Sequence, residues 1–435
     1  MNWFNWSLER QGYPLKQAEK DLAHLSGMDA EAFVVYQRRA KQDIVAHHLQ
    51  HTPYYQEIVG TNPNPAWDEL PIMTKADLQA PLKDRLSQHF TPSRVHQHKT
   101  SGSSGHPFVF GKDRYCHARS WALIKRLYLD HDLRIGQDLE ARFYGIPLGS
   151  IGYYKERLKD ALAARYRFVI FDLSDQRLEQ ILHAFSKKPF VFINGYTSSI
   201  VRFAQYVHDR KLILKNVCPS LKACIVTSEM LFDQDKDLLA VAFGVPILNE
   251  YGASELGVIA FAHQQGRFEV QQHNLFLELL DDDHKPVPNG VQGRIVVTDL
   301  YNKAHPLIRY DIGDLAIAHA DSTPERPVIS KLVGRTNDMA RLADGKVIPG
   351  LTFYYVTKAV IDQQSPVKEF VVEQNDYDRF TIVYVGERPL NHLEELTIKK
   401  AMERYAGAGL VLDFQRCNVL DRSRRGKLKQ FILKF

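Results

Sequence analysis

Eight residues, Thr100-Ser101-Gly102-Ser103-Ser104-Gly105-His106-Pro107, gather four hydroxyls and two glycines before a closing proline. Glycine lets backbone approach a ligand closely, and successive N–H groups in such a loop form a concavity for an anion. Hydroxyls add donors without a fixed charge. The loop suits a polyphosphate tail, although a Ser/Gly surface turn accounts for it equally well when it is taken alone. Four further clusters carry chemistry. Asn249-Glu250-Tyr251-Gly252-Ala253-Ser254-Glu255 follows an expected strand, and open α/β sheets bind ligands beyond the carboxyl ends of their strands. Glu255 is of the right type to hold Mg²⁺ together with phosphate oxygens, and Tyr251 to stack on a base; the alternative is a strand-end turn with a surface glutamate. In Arg309-Tyr310-Asp311-Ile312-Gly313-Asp314, the Asp314 carboxylate suits a ribose diol, or else belongs to an Asp-rich turn. Arg335, in Gly334-Arg335-Thr336-Asn337-Asp338, offers a rigid fork to phosphate or hydroxyl oxygens, unless it is a solvated linker arginine. Lys427 beside Gly426 is a mobile point charge suited to a developing phosphate charge, or part of a solvated basic tail over residues 422–429.

Composition narrows the class. The chain has 435 residues, 44% of them hydrophobic and 25% charged, which implies an ordinary globular protein of more than one domain. No apolar run approaches the roughly 18 residues that span a bilayer. The longest, 238–248, contains Gly244 and Pro246 and reads as a passage from helix to strand. The first residues lack the basic and apolar regions of a secretory signal. Cys116, Cys218, Cys224 and Cys417 are scattered without a CxxC pair, so a cytoplasmic location is expected. A net charge of +5 suits an anionic small ligand and does not call for nucleic acid.

The elements that must position these clusters follow from hydrophobic period. Residues 17–50 read as helical. Between about 165 and 250, strands near 167–171, 190–193, 222–227 and 245–248 alternate with helices near 175–186, 198–210 and 233–243, which argues for βαβ units and a parallel sheet. Residues 257–335 are mostly strand-like. Beyond them a helix near 350–363, strands near 367–374 and 379–385, a helix near 391–406 and a strand near 412–418 make a small α+β module. The expected fold class is α/β: a large multi-sheet N-terminal domain, 1–334, with a small C-terminal domain, 335–435, on a hinge.

Taken in order, the 100–107 loop, Ser228-Glu229, 251–255, 293–300, 310–315, 334–338 and 423–427 resemble the successive core motifs of adenylate-forming enzymes. These are the acyl-CoA synthetases, peptide-synthetase adenylation domains and luciferase. The resemblance covers about residues 50–430. Thr52-Pro53-Tyr54-Tyr55, Leu70-Pro71-Ile72-Met73-Thr74-Lys75 and Pro306-Leu307-Ile308-Arg309-Tyr310 make the chain most similar to the phenylacetate–CoA ligase branch and its capsule-cluster relatives.

That resemblance implies ATP and Mg²⁺ as cofactors, and a two-step reaction in which a small-molecule carboxylic acid becomes an acyl-adenylate and then a thioester with coenzyme A. It places Ser101, Gly102, Ser103, Ser104 and Gly105 on the ATP phosphates. Ser228, Glu229, Asn249 and Tyr251 fall around adenine, and Asp314 and Arg335 on the ribose. Glu255 falls on Mg²⁺, and Lys427 on the α-phosphate and acyl carboxylate. An acyl pocket is expected around Tyr144, Gly145, Tyr196, Gly252 and Ala253, with an aryl acid as the leading substrate. The alternatives are transfer to a phosphopantetheine carrier protein, an amine or a sugar, and, more distantly, an anionic-polymer binder using the basic C-terminus. A monomer or homodimer without a membrane span is expected. The pattern is not followed throughout: His106 stands where lysine is usual, Ser228 replaces a glycine, Ile312 replaces a threonine, and Asn337 occupies the usual hinge aspartate position.

Overall fold

The helical run expected over 17–50 is two helices, Leu15–Ser26 and Ala30–His51. Gly27 ends the first, and the Asp29 carboxylate starts the second by accepting the Ala32 N–H at 2.8 Å. An Asp cap supplies a partner for an otherwise orphaned backbone donor, and this local preference overrides the continuous apolar period. The structure, a computed structural model, describes residues 2–100, 108–144, 151–170, 173–262, 266–335, 339–345, 347–349, 352–353, 357, 361, 367–421 and 428–435. Ser101 to Gly105, Gly145 and Lys427 lie outside these residues, as do most of the expected 350–363 helix and the side chain of Arg335.

β1 (His96–Lys99) and β2 (Val109–Lys112) form an antiparallel hairpin around the 100–107 loop. Thr100 closes its base: the Thr100 N–H donates to the Phe108 carbonyl at 3.0 Å, and the Phe108 N–H donates to Thr100 Oγ1 at 3.0 Å. The strands that follow are β3 (Glu140–Phe143), β4 (Arg165–Phe168), β5 (Phe192–Tyr196), β6 (Ala223–Thr227) and β7 (Ile247–Ala253). Next come β8 (Gly257–Ala262), β9 (Phe268–Val270), β10 (Leu275–Leu280), β11 (Gln292–Asp299), β12 (Tyr310–Ala318) and β13 (Val328–Arg335). Among the described residues β3 to β13 make one 11-stranded sheet in the order β10-β11-β12-β13-β9-β8-β7-β6-β5-β3-β4.

The two halves of that sheet differ as the sequence implies. β4-β3-β5-β6-β7 pair in parallel, with helices covering them. Every residue of β5 and β6 is buried, as expected for parallel strands shielded on both faces. From β8 onward the pairing is antiparallel. The halves meet at β7–β8, and the turn joining them holds Ser254-Glu255.

β3 has no counterpart among the expected strands. Its sequence, Glu-Ala-Arg-Phe, reads as polar, yet Glu140 is 5% exposed. A buried charge must be paired. Arg165 Nε donates to Glu140 at 2.9 Å, and Arg142 Nε lies 3.4 Å from its other oxygen.

β14 (Met339–Arg341) pairs with β15 (Val347–Pro349), and the smaller C-terminal sheet domain contains β16 (Val367–Gln374), β17 (Arg379–Gly386), β18 (Val411–Cys417) and β19 (Phe431–Leu433). Their order is β18-β17-β16-β19, with the helix His392–Ala406 packed through Ile398 and Met402. Among the described residues no helix is long and apolar enough to cross a membrane. All four cysteines are free.

Candidate active site

Several residues singled out in the sequence lie on β7, β12 and β13 of the large sheet and in the turn after β7. Tyr251 lies near the end of β7, and its hydroxyl donates to Asp314 Oδ2 at 2.8 Å. Asp314 on β12 stands opposite Arg335, the last residue of β13. Residues 21 positions apart in sequence thus become cross-strand neighbours. Glu255 is 4% exposed, and the Tyr310 hydroxyl donates to its Oε1 at 3.0 Å. The Tyr310 ring meets Phe108 edge-on, with centroids 6.4 Å apart. Since Phe108 closes the 100–107 loop, the loop's base and Glu255 share one tyrosine.

The motif around residue 309 has a structural partner in the N-terminal part. Arg309 is 2% exposed, with a φ of 46°. Its Nη1 donates to the Leu70, Asp68 and Trp67 carbonyls at 2.8, 3.1 and 3.3 Å. Met73 bridges to the β12 edge: its N–H donates to the Arg309 carbonyl at 3.0 Å, and its carbonyl accepts the Asp311 N–H at 2.8 Å. The 70–75 segment and the 306–310 segment are therefore two sides of one junction.

Gly252 is fixed by close approach. A Cβ there would meet the Gly257 carbonyl oxygen at 2.4 Å. Backbone on the far side cannot yield as a flexible side chain would. Gly252→Ala is expected to cost about 1–3 kcal/mol, read as a lower thermal midpoint.

A polar chain starts at Tyr144, one of the residues expected around the acyl pocket. The Tyr144 hydroxyl donates to Asn194 Oδ1 at 2.9 Å, and Asn194 Nδ2 donates to the Tyr128 hydroxyl at 3.1 Å. That hydroxyl donates to Glu250 Oε2 at 3.3 Å, and the Thr227 hydroxyl to Glu250 Oε1 at 3.2 Å. Burial pushes the Glu250 carboxyl up, partly opposed by these two hydrogen bonds. Tyr144 and Tyr196 meet edge-on at 4.8 Å. Asn249 and Ala253 lie on β7 in the same region.

Ser228 has a φ of 70°, the left-handed region that favours glycine. This explains why glycine is usual there. Glu229 follows, with Oε2 accepting the Ser198 N–H at 2.7 Å and Oε1 accepting the Leu428 N–H at 2.9 Å. Sequence reading missed Tyr310 as the partner of Glu255, and Asn194 and Tyr128 as members of the polar chain. Tyr310 lay inside a quoted motif; Asn194 and Tyr128 carried no such signal. A cavity of about 1100 Å³ lined by Arg39, Arg94, Arg114, Tyr301 and Lys303 includes none of the expected site residues.

Comparison with known proteins defines the class. No family model matches the chain. Protein CapK of Staphylococcus aureus is 24% identical over 336 residues, covering 73% of this chain and 69% of that protein. A phenylacetate–coenzyme A ligase of Pseudomonas putida is 24% identical over 351 residues, covering 76% of each. The solved structure of 2-hydroxyisobutyryl-CoA ligase in its postadenylation state, with an acyl-AMP, superposes with a TM-score of 0.69 at 18% identity, covering 94% of this chain and 90% of that one. The same ligase in its thioesterification state, with 2-HIB-AMP and CoA, gives 0.56 at 18% identity and the same coverages. The fold and the sequence relatives together are those of AMP-forming ligases of the adenylate-forming superfamily. Within it the chain is similar in sequence to phenylacetate–CoA ligases and to CapK.

Proposed function

We propose that this protein converts a small carboxylic acid to an acyl-adenylate with ATP and then to a coenzyme A thioester. The observation that carries the reading is the convergence of Tyr251, Glu255, Tyr310, Asp314 and the base of the 100–107 loop around one seam of the sheet. In the first step an acid oxygen bonds to the α-phosphorus, and the bond from that phosphorus to pyrophosphate breaks, its electrons leaving with pyrophosphate. In the second, the thiol sulfur bonds to the acyl carbon, AMP leaves, and the thiol proton passes to solvent. The carboxylate arrives already ionised, so alignment and relief of charge repulsion do most of the catalysis.

Asp314 holds the ribose hydroxyls, with Tyr251 fixing its orientation and Arg335 beside it in register. Ser101 to Gly105 hold the phosphates from a hairpin anchored at Thr100 and Phe108. Glu255 fits Mg²⁺: it is a buried carboxylate with only Oε1 engaged among the described residues. The ion, when bound, neutralises phosphate charge. The closer whole-chain superposition on the postadenylation arrangement supports reading the observed domain arrangement as the adenylating one. Tyr144 and Tyr196 line the acyl side, where an aryl acid is the leading candidate. The free cysteines suit a cytoplasmic enzyme.

Asp314→Ala is expected to raise the KM for ATP about tenfold, the scale of a lost charge-assisted hydrogen bond, and to leave the KM for the acid nearly unchanged. An unchanged ATP dependence refutes the ribose contact. The overall reading is tested by incubating the enzyme with ATP, coenzyme A and an acid panel. Acid-dependent formation of AMP and thioester supports it. Adenylate that accumulates without consuming free coenzyme A points instead to a carrier protein, an amine or a sugar.

A further inference from the structure

The segment between β6 and the helix Asp233–Phe243 is where the C-terminal domain meets the large sheet. Phe232, 4% exposed, and Met230 join the apolar cluster of Leu342, Phe353 and Phe380. Separately, Lys368 Nζ lies 3.6 Å from Asp175. Among the described residues, one contact beside the expected catalytic lysine is polar. Leu428, the residue after Lys427, donates its N–H to Glu229. The other Glu229 oxygen takes the Ser198 N–H in the first turn of the helix Thr197–Asp209, and the Glu229 carbonyl accepts from the Thr197 hydroxyl at 3.1 Å. One carboxylate thus ties the backbone beside Lys427 to a helix start on the large sheet. Bonds from N–H groups to a carboxylate are about twice as strong as neutral ones.

We infer that Glu229 is a positioning residue for adenylation: it latches the backbone at Leu428 and so sets where Lys427 is presented. The inference rests on the two-step reading above. Thioester formation in that reading requires the C-terminal domain to leave, and the latch then has to let go of Leu428 while keeping Ser198. Two backbone N–H groups, one on each domain, give Glu229 a function that an adenine contact alone would not require. The left-handed Ser228 directly before it fixes the direction of the segment.

The test compares Glu229→Gln, Glu229→Ala and a backbone ester at 428, which removes the N–H and keeps the leucine side chain. Three readouts are taken: ATP–pyrophosphate exchange, thioester formation from a supplied acyl-adenylate, and the thermal midpoint. The expected result is an exchange kcat lowered about tenfold or more in Glu229→Ala and in the ester, the scale of one charge-assisted bond, with Glu229→Gln intermediate. The KM for ATP stays within about twofold, and the thioester step is unchanged or faster. Equal losses in both half-reactions that track the thermal midpoint would reduce Glu229 to support of the 197–209 helix and overturn the latch. A raised KM for ATP at constant kcat, or an ester variant with wild-type exchange, overturns it too. Wild-type protein lacking exchange with every acid is a different failure, because it removes the two-step reading itself.

Discussion

Lys427→Ala is expected to lose adenylate formation by about 10²–10³-fold while retaining thioester formation from a supplied acyl-adenylate. The first step brings a carboxylate against a triphosphate, so negative charge meets negative charge. A cation held between them lowers that barrier most where water is excluded. The Leu428 N–H is anchored on Glu229, which ties the chain beside Lys427 to the large domain. In the proposed second step AMP is expelled with no pyrophosphate to release, after the domain that carries Lys427 has turned away. Measuring the two half-reactions separately checks this. Equal loss of both contradicts the division of labour.

A second large effect is expected on stability in acid. Burial pushes His48 down to about 3, and His96 and His273 to about 4. Burial, then the nearby His96 and Lys112 charges, push His117 to about 2. The hydrogen bonds agree: Trp121 Nε1 donates to His117 Nε2 at 3.1 Å, and that acceptor is lost on protonation. His48 sits between the Thr52 hydroxyl at 2.8 Å and the Asn302 carbonyl at 2.9 Å. A histidine held below its ordinary value binds its proton more readily when unfolded. Its contribution is complete above about pH 6.5 and is lost as pH falls toward the folded value. For His48 alone that loss amounts to roughly 5 kcal/mol across the window, a large share of a typical domain's stability. The buried carboxyls of Asp113, Glu250 and Asp299 are pushed up by burial and act in the opposite sense. The histidines set the sign because four of them are held far below their ordinary value. The thermal midpoint is expected to be flat from pH 7 to 8 and to fall steeply below about 6. A midpoint that holds to pH 4.5 contradicts the buried-neutral assignment.

Much of the frame is legible in the chain because local signals and tertiary roles agree. The β-branched run at β6 needs both faces covered, and its composition says so. β3 is not legible, because Glu140 and Arg142 read as surface residues until Arg165 is placed beside them by a crossover. The same holds at the site. Asp314 and Tyr251 each appear within a motif, but their hydrogen bond depends on strand order, which no local pattern encodes. Glu229 is visible as a charged residue in a short motif. That it serves two backbone donors, one of them 199 residues away, emerges only when the C-terminal domain is docked.

The account rests most directly on acid-dependent exchange of labelled pyrophosphate into ATP. With the full-length protein, Mg²⁺ and a panel of aryl and aliphatic acids, at least one acid is expected to support exchange without coenzyme A, and Asp314→Ala to weaken it. Absence of exchange with every acid, in protein that is folded and binds ATP, would contradict the assignment of adenylation chemistry to this seam of the sheet.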